Sequence, residues 1–252
     1  MTKIVLLGSS EYAVELFEKL KRHFQPEILY FIHDNNNSDF ERRAKQKLTS
    51  QVLHFKKTDN EFWKSVKKEK PDIFLSINFM TILPEEIFTI PKIGSVNLHP
   101  SYLPYNRGNW PETWSIIEDK PAGVSLHMID KGIDTGPIIA QEKVAFDLSD
   151  TAESLGKKVE IAGVNLLKNI WPSLCKGEVL LKAQDKKYKL KTQSDFKASQ
   201  ALDLHEVMKV GDVIKRLCAY TMPEYAKGCY FHDPKTKEKI YIRCILEKED
   251  VR

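Results

Sequence analysis

Gly94-Ser-Val-Asn97-Leu-His99-Pro-Ser-Tyr-Leu-Pro104-Tyr-Asn-Arg107-Gly108, followed by Asp130-Lys-Gly-Ile-Asp134-Thr-Gly-Pro137, sets an amide, an imidazole and a carboxylate among glycines and prolines. The apolar run 93–96 reads as the end of a short buried strand. Asn97 and His99, two apart, then leave the same face of an extended backbone. One face carrying both groups suits acyl transfer to an amine: the imidazole takes the amine proton and the amide NH2 donates to the developing oxyanion. Asp134, on a Gly-rich turn, is placed to orient the imidazole and offset its positive charge, because a nearby carboxylate raises the ordinary histidine value of ~6.5. Spacing alone leaves a second arrangement open, in which Asn97 and Asp134 make turn hydrogen bonds and His99 is a buried spacer before Pro100.

Outward from this stretch, residues 4–7 form a short apolar strand, Gly8-Ser9-Ser10 a turn, and Val14, Phe17 and Leu20 continue at helical spacing to Phe24. Runs 28–32, 73–77 and 96–98 are further buried strands, separated by polar segments long enough for crossover helices. The first half therefore reads as a doubly wound α/β fold with a mostly parallel sheet. A single glycine in the first turn lacks the three-glycine dinucleotide fingerprint, so a nicotinamide or flavin has little support. Gly8 suits a close backbone approach, either in a plain tight turn or beside a phosphate or carboxylate at the following helix N-terminus. Residues 110–117 read as a short helix, 123–129 and 137–144 as paired strands, and the loop 130–136 returns Asp134 towards His99. From Thr151 onwards Leu155, Val159, Ala162, Leu166 and Ile170 mark a long amphipathic helix capped by Ser149 or Asp150.

At 252 residues the chain fits one main domain, 1–180, with a small α+β appendage, 181–252. With 39 basic and 35 acidic residues, the net charge of +4 gives little support to a nucleic-acid partner. Cys175, Cys218, Cys229 and Cys244 show no CxxC spacing and no histidines at ligand distance, so no metal is expected. The absence of a signal-like start or a long apolar run points to a cytoplasmic protein without a membrane partner. The tail begins with a basic stretch, contains an apolar helix around 213–217, and ends in a hairpin, 228–232 with 239–246, turning at Asp233-Pro-Lys-Thr-Lys.

The motif Asn-x-His, then Ser-x-Leu-Pro, Arg-Gly and a later Asp-x-Gly resembles the signature of the N10-formyltetrahydrofolate-dependent formyltransferases. The turn and helix from Gly8 to Phe17 resemble those of methionyl-tRNA formyltransferases, and Asn78-Phe-Met-Thr-Ile-Leu-Pro84 resembles the segment whose main chain holds the pterin. The similarity covers roughly residues 1–175 and implies a Rossmann-like formyltransferase fold. It also implies N10-formyltetrahydrofolate as co-substrate, Asn97, His99 and Asp134 as catalytic residues, and Met80, Ile82, Leu83, Asp130, Gly132 and Ile133 around the folate.

The acceptor must be read from the tail, where about 70 residues are too few for the barrel of methionyl-tRNA formyltransferases. Its aromatic residues Tyr220, Tyr225, Tyr230, Phe231 and Tyr241 suit either a stacked base or a small core. Residues 217–231 resemble the C-terminal segment of sugar N-formyltransferases, which act on nucleotide-linked amino sugars, and residues 107–114 resemble their Arg-Gly helix start. This resemblance implies substrate contacts among Gly8, Ser9, Ser10, Arg107, Gly108, Trp110, Lys189, Arg216, Tyr225, Tyr230 and Phe231, with cationic side chains offsetting a pyrophosphate. The expected acceptor is a dTDP-4-amino-4,6-dideoxyhexose destined for surface polysaccharide such as lipopolysaccharide O-antigen. The alternatives are a methionyl-tRNA formyltransferase and a formyltetrahydrofolate hydrolase. A homodimer is expected, associating through the C-terminal hairpin.

Overall fold

The computed structural model describes residues 1–48, 51–55, 59–185, 187–222, 228–247 and 249. Strand β1 (Lys3–Gly8) carries the apolar run Ile4 to Leu7, fully buried on both faces as an inner parallel strand requires. Helix α1 (Glu11–Phe24) starts where the Ser10 side chain accepts a hydrogen bond from the Ala13 N–H, and it stops at Gln25 in a left-handed conformation. A Cβ on Gly8 would lie 2.7 Å from that of Ala13, so the glycine is what lets helix and strand pack this closely.

The chain continues through β2 (Glu27–His33), α2 (Ser38–Leu48), β3 (Gln51–His54), α3 (Asn60–Lys68), β4 (Ile73–Ile77), α4 (Glu85–Phe88) and β5 (Gly94–His99). Next come α5 (Pro111–Glu118), β6 (Ala122–Met128), β7 (Ile138–Val144), α6 (Ala152–Lys176), α7 (Gln193–Ser199), α8 (Val210–Ala219), β8 (Cys229–His232) and β9 (Lys239–Ile242). The sheet order is β3-β2-β1-β4-β5-β6-β7. Strands β1 to β5 pair in parallel and β6 runs antiparallel to β5. The expected mostly parallel, doubly wound α/β sheet and the small helix-and-hairpin appendage are both present.

The chain divides into two compact units: Met1–His99, Ser125–Gln141 and Gly163–Gln184 form one, and Pro100–Val124, Glu142–Ala162 and Asp185–Arg252 the other. In the first, Val5, Leu7, Ile32, Trp63, Val66, Phe74, Leu83 and Ile87 form one buried cluster against a sheet face. In the second, Trp110 stacks on Phe196 with ring centroids 4.7 Å apart, and Phe196 meets Tyr220 at 5.0 Å. Thr113 Oγ1 donates to the Ala219 carbonyl at 2.8 Å, joining α5 to α8, while β8 and β9 pair as the expected hairpin. The cap of α6 differs from expectation. Thr151, not Ser149 or Asp150, accepts from the Ser154 N–H, and the Ser154 hydroxyl oxygen accepts from the Thr151 N–H. The Asp150 carboxylate instead receives the Ser154 hydroxyl and the Lys158 ammonium.

No helix among the described residues is long and apolar enough to cross a membrane.

Candidate active site

Register decides which groups meet. Asn97 on β5 lies opposite Ser76 on β4 and opposite His127 on β6, and His99 lies opposite Ser125. The loop after β6 brings back Asp134, held in the left-handed region at φ +52°, a conformation that Asp tolerates better than most residues. Gly136 follows where a Cβ would come within 1.8 Å of the Met128 carbonyl oxygen, so this return path needs glycine.

All three expected catalytic side chains converge. His99 Nε2 lies 3.6 Å from Asp134 Oδ2, and Asn97 Nδ2 lies 3.4 Å from Asp134 Oδ1. The His99 side chain is 7% exposed and that of Asp134 12%, so a charge on either is weakly screened by solvent. The amide bonds of Asn97 are long, 3.3 Å to His127 and 3.4 Å to Asp134, leaving the NH2 free to turn to a stronger acceptor such as an oxyanion.

Two residues that sequence reasoning did not find complete this arrangement. His127 Nε2 lies 3.5 Å from Asp134 Oδ1, and its Nδ1 is 2.8 Å from the Met128 carbonyl. A carbonyl only accepts, so Nδ1 carries a proton, and Nε2 faces both the Asn97 amide and the Asp134 carboxylate. Gln184 Nε2 donates to two carbonyls of the loop, Asp134 at 3.1 Å and Gly136 at 2.6 Å. His127 lies in the stretch 123–129 read as a strand, but that reading paired it with 137–144, and its place opposite Asn97 comes only from the register of β6 on β5. Nothing local marks Gln184.

Of the expected folate contacts, Met80 is 72% exposed, Ile82 64% and Ile133 40%, so these apolar side chains are open to solvent. The Leu83 side chain belongs to the buried cluster, leaving its main chain as the group able to meet a ligand. Asp130 builds the loop, accepting from the Gly132 N–H at 3.0 Å and the Thr135 hydroxyl at 2.6 Å. Ser9 and Ser10 are engaged within the protein, Ser9 with Asp34 and Ser10 with Ala13 and Asn78.

The other expected substrate residues belong to the second unit. Arg107 Nη2 donates to the Tyr188 carbonyl at 2.6 Å, while its buried Nε has no hydrogen-bond partner among the described residues. Gly108, at φ +94°, sits where a Cβ would be 2.3 Å from the Lys191 carbonyl. The Trp110 indole donates to Gln193 at 2.7 Å. Lys189 pairs with Asp195 at 3.3 Å, and Arg216 with Glu206 at 3.1 Å and the Ala201 carbonyl at 2.7 Å. The Tyr230 ring is covered by the Lys239 ammonium at 3.8 Å, Phe231 is half-buried on β8, and Tyr225 lies outside the described residues. Among the described residues no His, Cys, Asp and Glu cluster of three or more could hold a metal ion.

Comparison with known proteins matches residues 2–170 to the formyl transferase family model and residues 195–248 to the N-formyltransferase dimerization C-terminal domain. A methionyl-tRNA formyltransferase of Thermodesulfovibrio yellowstonii is 38% identical over 130 residues, which is 51% of this chain and only 42% of that relative. A dTDP-4-amino-4,6-dideoxyglucose formyltransferase of Mycobacterium bovis is 31% identical over 181 residues, 72% of this chain and 76% of the relative. The solved 4-N formyltransferase of Francisella tularensis superposes with a TM-score of 0.86 at 22% identity, over 98% of this chain and 99% of that one. With the Asn97, His99 and Asp134 set on the expected strand end and loop, the chain belongs to the formyl transferase family and resembles its nucleotide-sugar N-formyltransferases.

Proposed function

We propose that this protein moves a formyl group from N10-formyltetrahydrofolate to the amine of a nucleotide-linked amino sugar, with a dTDP-4-amino-4,6-dideoxyhexose as acceptor. The observation that carries this reading is the convergence of Asn97, His99 and Asp134 on one point of the strand end. The neutral amine attacks the formyl carbon. Asn97 Nδ2 and protonated His99 donate to the oxygen that becomes negative, and Asp134 holds the imidazolium charge. As the tetrahedral centre collapses, the bond to the folate N10 breaks and that nitrogen takes the proton given up by the amine. His127 keeps the Asn97 amide turned towards the reaction point.

The exposed apolar segment with Met80, Ile82 and Ile133 supports folate contact. On α8, Val210, Val213 and Ile214 are exposed at spacings of three and four, one helix face. That face and the exposed Ile240 and Tyr241 on β9 fit the contact of a homodimer, in line with the dimerization domain matched at 195–248. Action in the cytoplasm on a precursor of surface polysaccharide is the setting this chemistry fits.

Incubating the protein with formylated folate and a panel of nucleotide-linked amino sugars should give one acceptor a formyl mass shift. In Asn97→Ala and His99→Ala the rate should fall by roughly 10² to 10⁴ while the proteins stay folded. Wild-type turnover in either variant refutes the assignment. A methionyl-tRNA acceptor has the 38% identity over 130 residues in its favour and would reveal itself by tight, salt-sensitive tRNA binding. Tetrahydrofolate release indifferent to added sugar nucleotide would favour the hydrolase instead.

A further inference from the structure

The strand order reverses direction between β1 and β4: β2 and β3 lie outward of one, β5 outward of the other. At such a switch point the loops leaving two neighbouring parallel strands diverge, opening a crevice at their carboxyl ends. Here Ser9 and Ser10 follow β1, and residues 78–84 follow β4. Residues 78–84 form no helix or strand, and they hold Met80 and Ile82 out to solvent. An irregular segment exposing apolar side chains needs an external tether to keep one conformation.

Asp34, the residue after β2, supplies one. Its Oδ2 accepts from the Thr81 hydroxyl at 2.7 Å, and its Oδ1 accepts from the Ser9 hydroxyl. Its own N–H donates to Ser9 Oγ at 3.1 Å. Asn35 Nδ2 donates to the Ser9 carbonyl at 2.9 Å, and Asn78 Nδ2 to Ser10 Oγ at 3.1 Å. One carboxylate thus joins the ends of three adjacent strands, using both oxygens on hydroxyls.

We propose that Asp34 is a positioning residue for the folate co-substrate, setting the main chain of residues 78–83 by tying Thr81 to Ser9 across the switch point. The assignment rests on the reading of that segment as folate-binding. Thr81 presents its hydroxyl inward to Asp34, and its neighbours Met80 and Ile82 stay outward, so losing the tie frees the backbone between two ligand-contacting side chains.

The test compares wild type with Asp34→Ala, Thr81→Val, the double variant and Asp34→Asn, in steady-state formyl transfer and in equilibrium binding of tetrahydrofolate. Asp34→Ala should raise the KM for formylated folate and weaken tetrahydrofolate binding about tenfold, with kcat and the acceptor KM within about threefold. Thr81→Val should give a smaller shift of the same kind. The double variant should be no worse than Asp34→Ala, because one link is removed twice. Asp34→Asn, which keeps an acceptor for Thr81, should recover part of the folate affinity. An unchanged folate KM in folded Asp34→Ala overturns the proposal, as does a general loss in which melting temperature, kcat and both KM values worsen together. A wild-type protein that binds no tetrahydrofolate overturns the folate reading itself, a result distinct from wild-type binding that Asp34→Ala leaves intact.

Discussion

Replacing Gln184 with leucine removes the two N–H donors that hold the carbonyls of Asp134 and Gly136, at 3.1 and 2.6 Å, while keeping side-chain bulk. Each bond contributes about 1 kcal/mol net, so the loop loses about 2 kcal/mol of support. Because about 1.4 kcal/mol is a factor of ten, the share of molecules with Asp134 beside His99 should fall by roughly 30-fold at most. On the proposed mechanism Asp134 holds the imidazolium charge of His99 while the oxyanion forms, so the reduction should appear in kcat. Steady-state kinetics with each substrate varied would read it: kcat down about 10- to 30-fold, both KM values within about threefold. Gln184→Glu has the same shape but no NH2, so it should be no better than leucine. A leucine variant with wild-type kcat refutes the idea that Gln184 carries the loop.

Gly136→Ala should lose activity by at least about 10²-fold and melt several degrees lower, because its Cβ would sit 1.8 Å from the Met128 carbonyl; unaltered kinetics and melting would refute that packing. Glu112 is pushed up to about 7, chiefly by burial and then by the negative charge of Glu160. The folded chain therefore binds this proton more tightly than the unfolded one, and the stability it confers at acid pH is lost as pH rises from 4.5 to about 7. Glu112→Gln should flatten that decline in melting temperature, and parallel wild-type and variant curves would contradict it. Burial drives the Cys218 and Cys229 thiols up to about 12, so both should resist iodoacetamide at about pH 8 until the chain unfolds; rapid native labelling, read by mass spectrometry, would disprove this.

The strands β1 and β2 were legible because each carries an unbroken apolar run of inner-strand length, and β4 because only Ser76 interrupts its run, whereas β5 was read from its short apolar stretch beside Asn97 and His99. α1 and α6 were legible from their spacing of three and four. The cap of α6 was misplaced by one or two residues because Ser149, Asp150 and Thr151 are all good caps, and only the backbone geometry selects among them. β3 carried no signal of its own, having only Val52 buried and drawing its identity from pairing with β2.

That Asn97 and His99 share a face followed from sequence alone, since side chains two apart on a strand point the same way. The part given to the 130–136 loop came from resemblance, and its glycines from the tight return that Asp134 needs. The tertiary structure decided what meets that face from elsewhere in the chain: His127 through the register of β6 against β5, Gln184 from 50 residues beyond Asp134, and Asp34 from the neighbouring strand end. Those partners depend on strand order and register, which arise from the summed burial of many side chains. A local pattern encodes the direction of a side chain but not the distant group brought to face it.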